Sequence, residues 1–205
     1  EAVAAPVAGE TNTADNALFR QIGISAVESS AGAASATGSI GGFASAVAAE
    51  GTVVYLAEGA SLTVVDVANA AQPVILSRLQ LPGAIRALAT ANGWVYAACG
   101  SRGVQIVDTG VLSAPRLVRG LATAGDACGL ALSGGTLYIA NGIAGLRIAN
   151  VSDPASASLA GAYHTEGPAV AVAANSSTVY LLDSNNGLLI INAASPSSPA
   201  LAGIC

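Results

Sequence analysis

The stretch Asn92-Gly-Trp-Val-Tyr-Ala-Ala-Cys-Gly-Ser-Arg-Gly-Val-Gln-Ile-Val-Asp108 decides the fold. It contains two short apolar runs, residues 94–99 and 104–108, parted by a glycine-flanked turn. An Asn-Gly pair opens it, and residues 85–90 form a further apolar run just upstream. Asn and Gly both tolerate positive φ, so Asn-Gly between apolar runs favours a tight hairpin. The runs are too short for helices and show no sustained 3.6-residue period, so they read as antiparallel strands.

The pattern recurs along the chain. Tyr96 has counterparts in Tyr55, Tyr138 and Tyr180, spaced 41, 42 and 42 residues apart. Asp108 belongs to a column with Asp66, Asn150 and Asn192, and Gly41, Gly83, Gly125 and Gly167 mark the junctions. Pro73, Pro115 and Pro199 come seven residues after the polar column, and Ala157 takes that place in the third block. A period of about 40–45 residues with four strands per unit fits a propeller blade. The short turns Glu50-Gly51, Gly134-Gly135 and Ser176-Ser177 argue against a parallel solenoid, because parallel strands need long crossovers. The expectation is an all-β propeller of four-stranded antiparallel blades at about 42–83, 84–125, 126–167 and 168–205.

Residues 1–40 depart from the repeat and are rich in Ala, Gly, Ser and Thr. They read as an N-terminal arm or a degenerate half-blade, with 19–25 and 32–39 falling over a third and a fourth strand. A ring could then close in three ways: with four blades, with a fifth that uses the leader, or by association between chains. At the polar column, the Asp and Asn side chains are expected to accept amides of the following turn. The proline after it would start an outermost strand, where a missing N–H faces solvent.

Three segments carry a family resemblance: Gly103-Val-Gln-Ile-Val-Asp108, Gly145-Leu-Arg-Ile-Ala-Asn150 and Gly187-Leu-Leu-Ile-Ile-Asn192. With their downstream prolines, they resemble the LVIVD-repeat family over about residues 41–205. The resemblance implies β-propeller blades in a mostly bacterial, secreted or surface-associated protein, and it brings no shared catalytic motif.

Composition narrows the function. Hydrophobic residues make up 53% and charged residues 9%, far below the roughly 25% usual in globular domains. No apolar run reaches the ~18 residues of a membrane span. The seven basic residues are all arginines and the net charge is −5, so a nucleic-acid footprint is absent. Five arginines (Arg78, Arg86, Arg102, Arg116 and Arg119) concentrate in the first two blocks, which would suit an acidic neighbour or plain solvation. The chain starts at Glu1, and its first residues resemble the start of a mature chain after secretory cleavage. Together with the family resemblance, this makes an extracellular or cell-surface location the expectation.

Catalytic chemistry is sparse. The single histidine, His164, stands in a block junction with Asp126 and Asp153 as the carboxylates considered beside it, and no Gly-x-Ser-x-Gly elbow occurs. Asp183-Ser-Asn185-Asn-Gly187 opens like a calcium loop but lacks the turn glycine and the bidentate glutamate, so it reads as a hairpin turn. The sequons at Asn150 and Asn175 are weak, since Asn150 already holds a turn-capping place. No metal, cofactor or enzyme activity is expected. Cys99 and Cys128 leave a disulfide and two buried thiols both open, and Cys205 is a candidate intermolecular thiol. The expected function is a non-catalytic exported propeller acting as a structural or protein-interaction module in a homo-oligomer, surface assembly or filament. The alternative is a ligand-binding or adhesin propeller recognising a protein or glycan through rim loops, with Arg102 and Trp94 as candidates.

Overall fold

The computed structural model describes residues 43–205. The expected arm or half-blade over 1–40 lies outside the described residues. Among those described, sixteen strands form four sheets. The first contains β1 (Ala46–Glu50), β2 (Val53–Glu58), β3 (Ser61–Asp66) and β4 (Val74–Gln80). The second contains β5 (Ala87–Ala91), β6 (Trp94–Ala98), β7 (Val104–Asp108) and β8 (Arg116–Leu121). In the third are β9 (Gly129–Ser133), β10 (Thr136–Ala140), β11 (Leu146–Asn150) and β12 (Ser158–Tyr163). The fourth contains β13 (Ala169–Asn175), β14 (Thr178–Asp183), β15 (Gly187–Asn192) and β16 (Ala200–Ile204). Each is an antiparallel meander in chain order, the form of a propeller blade.

The polar column does what its position demands. Asp66, Asp108, Asn150 and Asn192 each accept the amide two residues on, at 2.8, 2.9, 2.9 and 2.9 Å. That bond bends the chain out of the third strand and toward the outermost one. The third block lacks the downstream proline and turns by another route. There a single 3-10 turn, Pro154–Ser156, is capped by Asp153, and Ala157 tucks in behind it at 1% exposure.

A bulge sits at one place in every blade, where the third strand meets the fourth. It falls between Val64 and Val65, Ile106 and Val107, Ile148 and Ala149, and Ile190 and Ile191. At the opposite edge the innermost strands pack in series, β1 on β5, β5 on β9 and β9 on β13. Backbone bonds stitch these junctions. Ile85 N donates to Gly59 O at 2.7 Å, Ala127 N to Gly100 O at 3.0 Å and Ala169 N to Gly142 O at 2.9 Å. Ile85, expected to begin a strand, instead serves this junction, and β5 starts at Ala87.

Residues opposite one another in neighbouring strands share a face. Each tyrosine therefore lies in a row across its blade: Ala48–Tyr55–Val64, Ala89–Tyr96–Ile106, Ala131–Tyr138–Ile148 and Ala173–Tyr180–Ile190. The next blade covers this face with its own apolar residues. Tyr55 packs with Val95, Ala97 and Val107, Tyr96 with Leu137, Ile139 and Ala149, and Tyr138 with Val179, Leu181 and Ile191. These three inter-blade clusters are the core, and each fully buried Leu or Ile contributes about 1.5–3 kcal/mol. Among the described residues no comparable packing joins β13 back to β1.

Candidate functional site

Two features stand out against this repetition. One is the outer face of the fourth blade. Tyr55, Tyr96 and Tyr138 are each 2% exposed, whereas Tyr180 is 37% and Leu182 45% exposed. Leu182 pairs with Leu188, and Leu188 exchanges backbone bonds with Cys205 at 2.9 and 3.2 Å. The exposed Cys205 is thus placed on the same face, one row from Tyr180. The far end of the arc differs, because Val54, Leu56 and Val65 form a buried cluster on the outward side of the first blade.

The other feature is a cleft on the hairpin rim between blades two and three, about 360 Å³ in volume. Trp94 and Tyr96 form one side, Leu132, Val151 and Pro154 the other, and Asn92 and Ser152 sit at its mouth. No charged side chain lines it. Its origin is a change in the repeat. At the first junction the matching position is Glu50, whose carboxylate accepts Asn92 N at 2.6 Å, Gly93 N at 3.3 Å and Thr90 Oγ1 at 3.0 Å, filling the gap. At the second junction that position is Ala91, which leaves the space open.

The phenols differ in step with this. Tyr55 Oη lies 3.1 Å from Thr109 Oγ1, and Tyr138 Oη donates to Ser176 O at 3.3 Å. For Tyr96, the residue matching Thr109 is Val151, which has no hydroxyl to offer. No described protein group bonds the Tyr96 hydroxyl. Leaving such a buried group unpaired costs about 1–3 kcal/mol. Burial also pushes its pKa up, so it stays a neutral donor and acceptor. The repeat alone marks Tyr96 only as a packing residue. The signal for more lies in the exchange of Thr109 for Val151 one repeat later. The third junction carries a related cleft of about 530 Å³, but Thr136 replaces the tryptophan there.

The two rim candidates do not meet. Trp94 begins β6 at the hairpin rim, while the exposed Arg102 lies in the turn after β6 at the opposite rim. An antiparallel meander cannot bring them together. Nor do the two inner cysteines pair. Cys99 is buried between blades one and two, while Cys128 packs between blades three and four with its thiol on Ala140 O and Ala169 O at 3.3 and 3.2 Å. Both are free thiols, because the junctions they serve are different. Burial pushes Cys99 up to about 11 and raises Cys128 as well.

Other sequence candidates have local roles. Asp126 pairs with Arg86 at 3.4 Å, and Asp153 caps the 3-10 turn. His164 is exposed. Burial alone would raise the pKa of Asp183, yet amides of Asn186, Asn185 and Gly167 and the Thr165 hydroxyl hold it below the usual carboxylate range. Both its oxygens are thus committed to the hairpin and to the blade junction. Three of the clustered arginines pair within the chain: Arg78 with Glu58, Arg86 with Asp126 and Arg116 with Asp108, at 3.4, 3.4 and 2.9 Å.

Known proteins agree with this architecture. The computationally designed protein Ika4 superimposes with a TM-score of 0.61 at 11% identity, over 80% of this chain and 92% of its own. The designed protein Ika8 gives 0.61 at 12% identity, over 72% of this chain and 45% of its own. A functionally unknown protein from Desulfotomaculum acetoxidans DSM 771 gives 0.72 at 13% identity, over 86% of this chain and 61% of its own. This chain thus spans under half of Ika8 and about three fifths of the Desulfotomaculum protein. Likeness at such identities speaks for the fold alone. No curated protein matches the chain. The LVIVD repeat model matches residues 41–80, 124–165 and 166–205, passing over the second blade although that blade folds like the others. The chain belongs to the LVIVD-repeat family.

Proposed function

We propose that this chain is a non-catalytic structural module that joins a second copy of itself through the open face of its fourth blade. The observation that carries the reading is Tyr180: three repeat-equivalent tyrosines lie under a neighbouring blade, and this one does not. The face around it holds Ala171, Ala173, Leu182, Leu188, Ile190 and Gly203, all uncharged, so its chemistry suits another blade. Among the described residues no blade of this chain covers it. The outward side of the first blade is already buried, which favours contact between the two Tyr180 faces about a two-fold axis. Inner strands rich in Ala, Leu and Val offer few groups for catalysis, and the family resemblance favours an extracellular or surface setting.

Light scattering on the purified protein tests this reading. A dimer is expected, converted to monomer by Tyr180→Arg together with Leu182→Asp. Added diamide, which takes up two protons and two electrons as two thiols join, should link the parent chains but not the Cys205→Ser variant. A parent that stays monomeric at high concentration ends the reading.

A further inference from the structure

We propose that the cleft between blades two and three binds a neutral saccharide, stacked on Trp94 and hydrogen-bonded to the Tyr96 hydroxyl. This site is separate from the fourth-blade face and does not depend on assembly. Four observations converge on it. The junction before it is filled by Glu50 and the same place here is Ala91, so the space exists only because the repeat changed. The single tryptophan of the chain forms its wall, where the first and third blades carry Val53 and Thr136. The tyrosine phenol, bonded at the junctions before and after, has no described protein partner at this one. Finally, no charged group lines the cleft, and its volume of about 360 Å³ lies near the small end of ligand pockets.

The chemistry selects the ligand class. The C–H face of a pyranose is apolar and sits flat on an indole, while its hydroxyls both donate and accept. Tyr96 Oη, the Asn92 amide and the Ser152 hydroxyl also do both, so each can answer a sugar hydroxyl in either sense. An acidic or basic ligand would enter with no counter-charge. An extended peptide needs a row of donors for its carbonyls, and the residues lining this cleft include no such row.

Trp94 fluorescence is the readout, since no other tryptophan contributes. The parent protein is titrated with maltose, cellobiose, N,N′-diacetylchitobiose and, separately, a proline-rich peptide. The proposal expects a saturable change with at least one disaccharide. Tyr96→Phe should weaken that binding about fivefold, the value of one hydrogen bond. Val151→Thr supplies the partner that Thr109 gives Tyr55, so it should weaken binding similarly while leaving the fold intact, and it keeps the test valid if Tyr96→Phe loosens the blade. The proposal is overturned if no disaccharide saturates the signal, if the peptide alone does, or if both variants bind as tightly as the parent.

Discussion

The carboxylate of Asp183 accepts the amide of Gly167 at 2.9 Å, tying the end of β14 to the junction that opens the fourth blade. The same side chain accepts the amides of Asn185 and Asn186 at 2.8 and 2.7 Å. One ionised group thus serves both a hairpin and a blade boundary. Asp183→Ala should cost about 2 kcal/mol, the usual range for bonds to a charged acceptor. Its folded pKa is depressed, so its contribution is complete above the unfolded value of about 3.9 and disappears as pH falls through the folded one. Urea unfolding should therefore show the parent weakening below about pH 4 more steeply than Asp183→Asn.

Glycine is required at the start of the third strand for a reason that can be isolated. Gly145 has φ +71°, and a Cβ there would press on the Tyr163 carbonyl and come within 2.9 Å of Thr165 N. Gly134 has φ +56°, but a Cβ there would meet nothing within 4 Å. Gly134→Ala should cost about 1–2 kcal/mol for the left-handed backbone alone. Gly145→Ala adds a steric clash and should cost more, about 3 kcal/mol or above. Chemical denaturation of the pair separates conformation from crowding.

Leu181 and Leu182 are sequence neighbours with opposite fates, 0% and 45% exposed. In dilute solution where light scattering reports a monomer, Leu181→Ala should cost about 2–5 kcal/mol and Leu182→Ala well under about 1 kcal/mol. Equal losses at both sites would mean that the fourth-blade face is covered within the chain.

The three thiols should react in a fixed order. Cys205 is exposed, Cys128 half-buried, and Cys99 buried with its pKa raised to about 11. The thiolate is the reactive species, so iodoacetamide at neutral pH should modify Cys205 first and Cys99 only on unfolding. Mass spectrometry of timed samples reads the order directly.

Much of the architecture is legible in the sequence because the repeat registers several physical demands at once. Tyr96, Asp108 and Gly103 each recur because a row position, a turn cap and a left-handed backbone recur. The site is harder to read, because it arises where the repeat departs from itself. Ala91 in place of Glu50 and Val151 in place of Thr109 are ordinary substitutions until the two blades are set side by side. The separation of Trp94 from Arg102 is in principle readable, since a meander sends alternate turns to opposite rims. The exposure of Tyr180 is not, for its sequence surroundings match those of its buried counterparts.

The bulges at the third-to-fourth strand contact set how such molecules can meet. An irregularity next to β4, β8, β12 and β16 coils the outer border of each blade, so a foreign strand finds no straight ladder to extend. Contact between molecules is directed to side-chain surfaces and away from main-chain zippering. Any fibre these proteins build should therefore lack the ~4.7 Å meridional reflection of cross-β material and leave amyloid dyes dark.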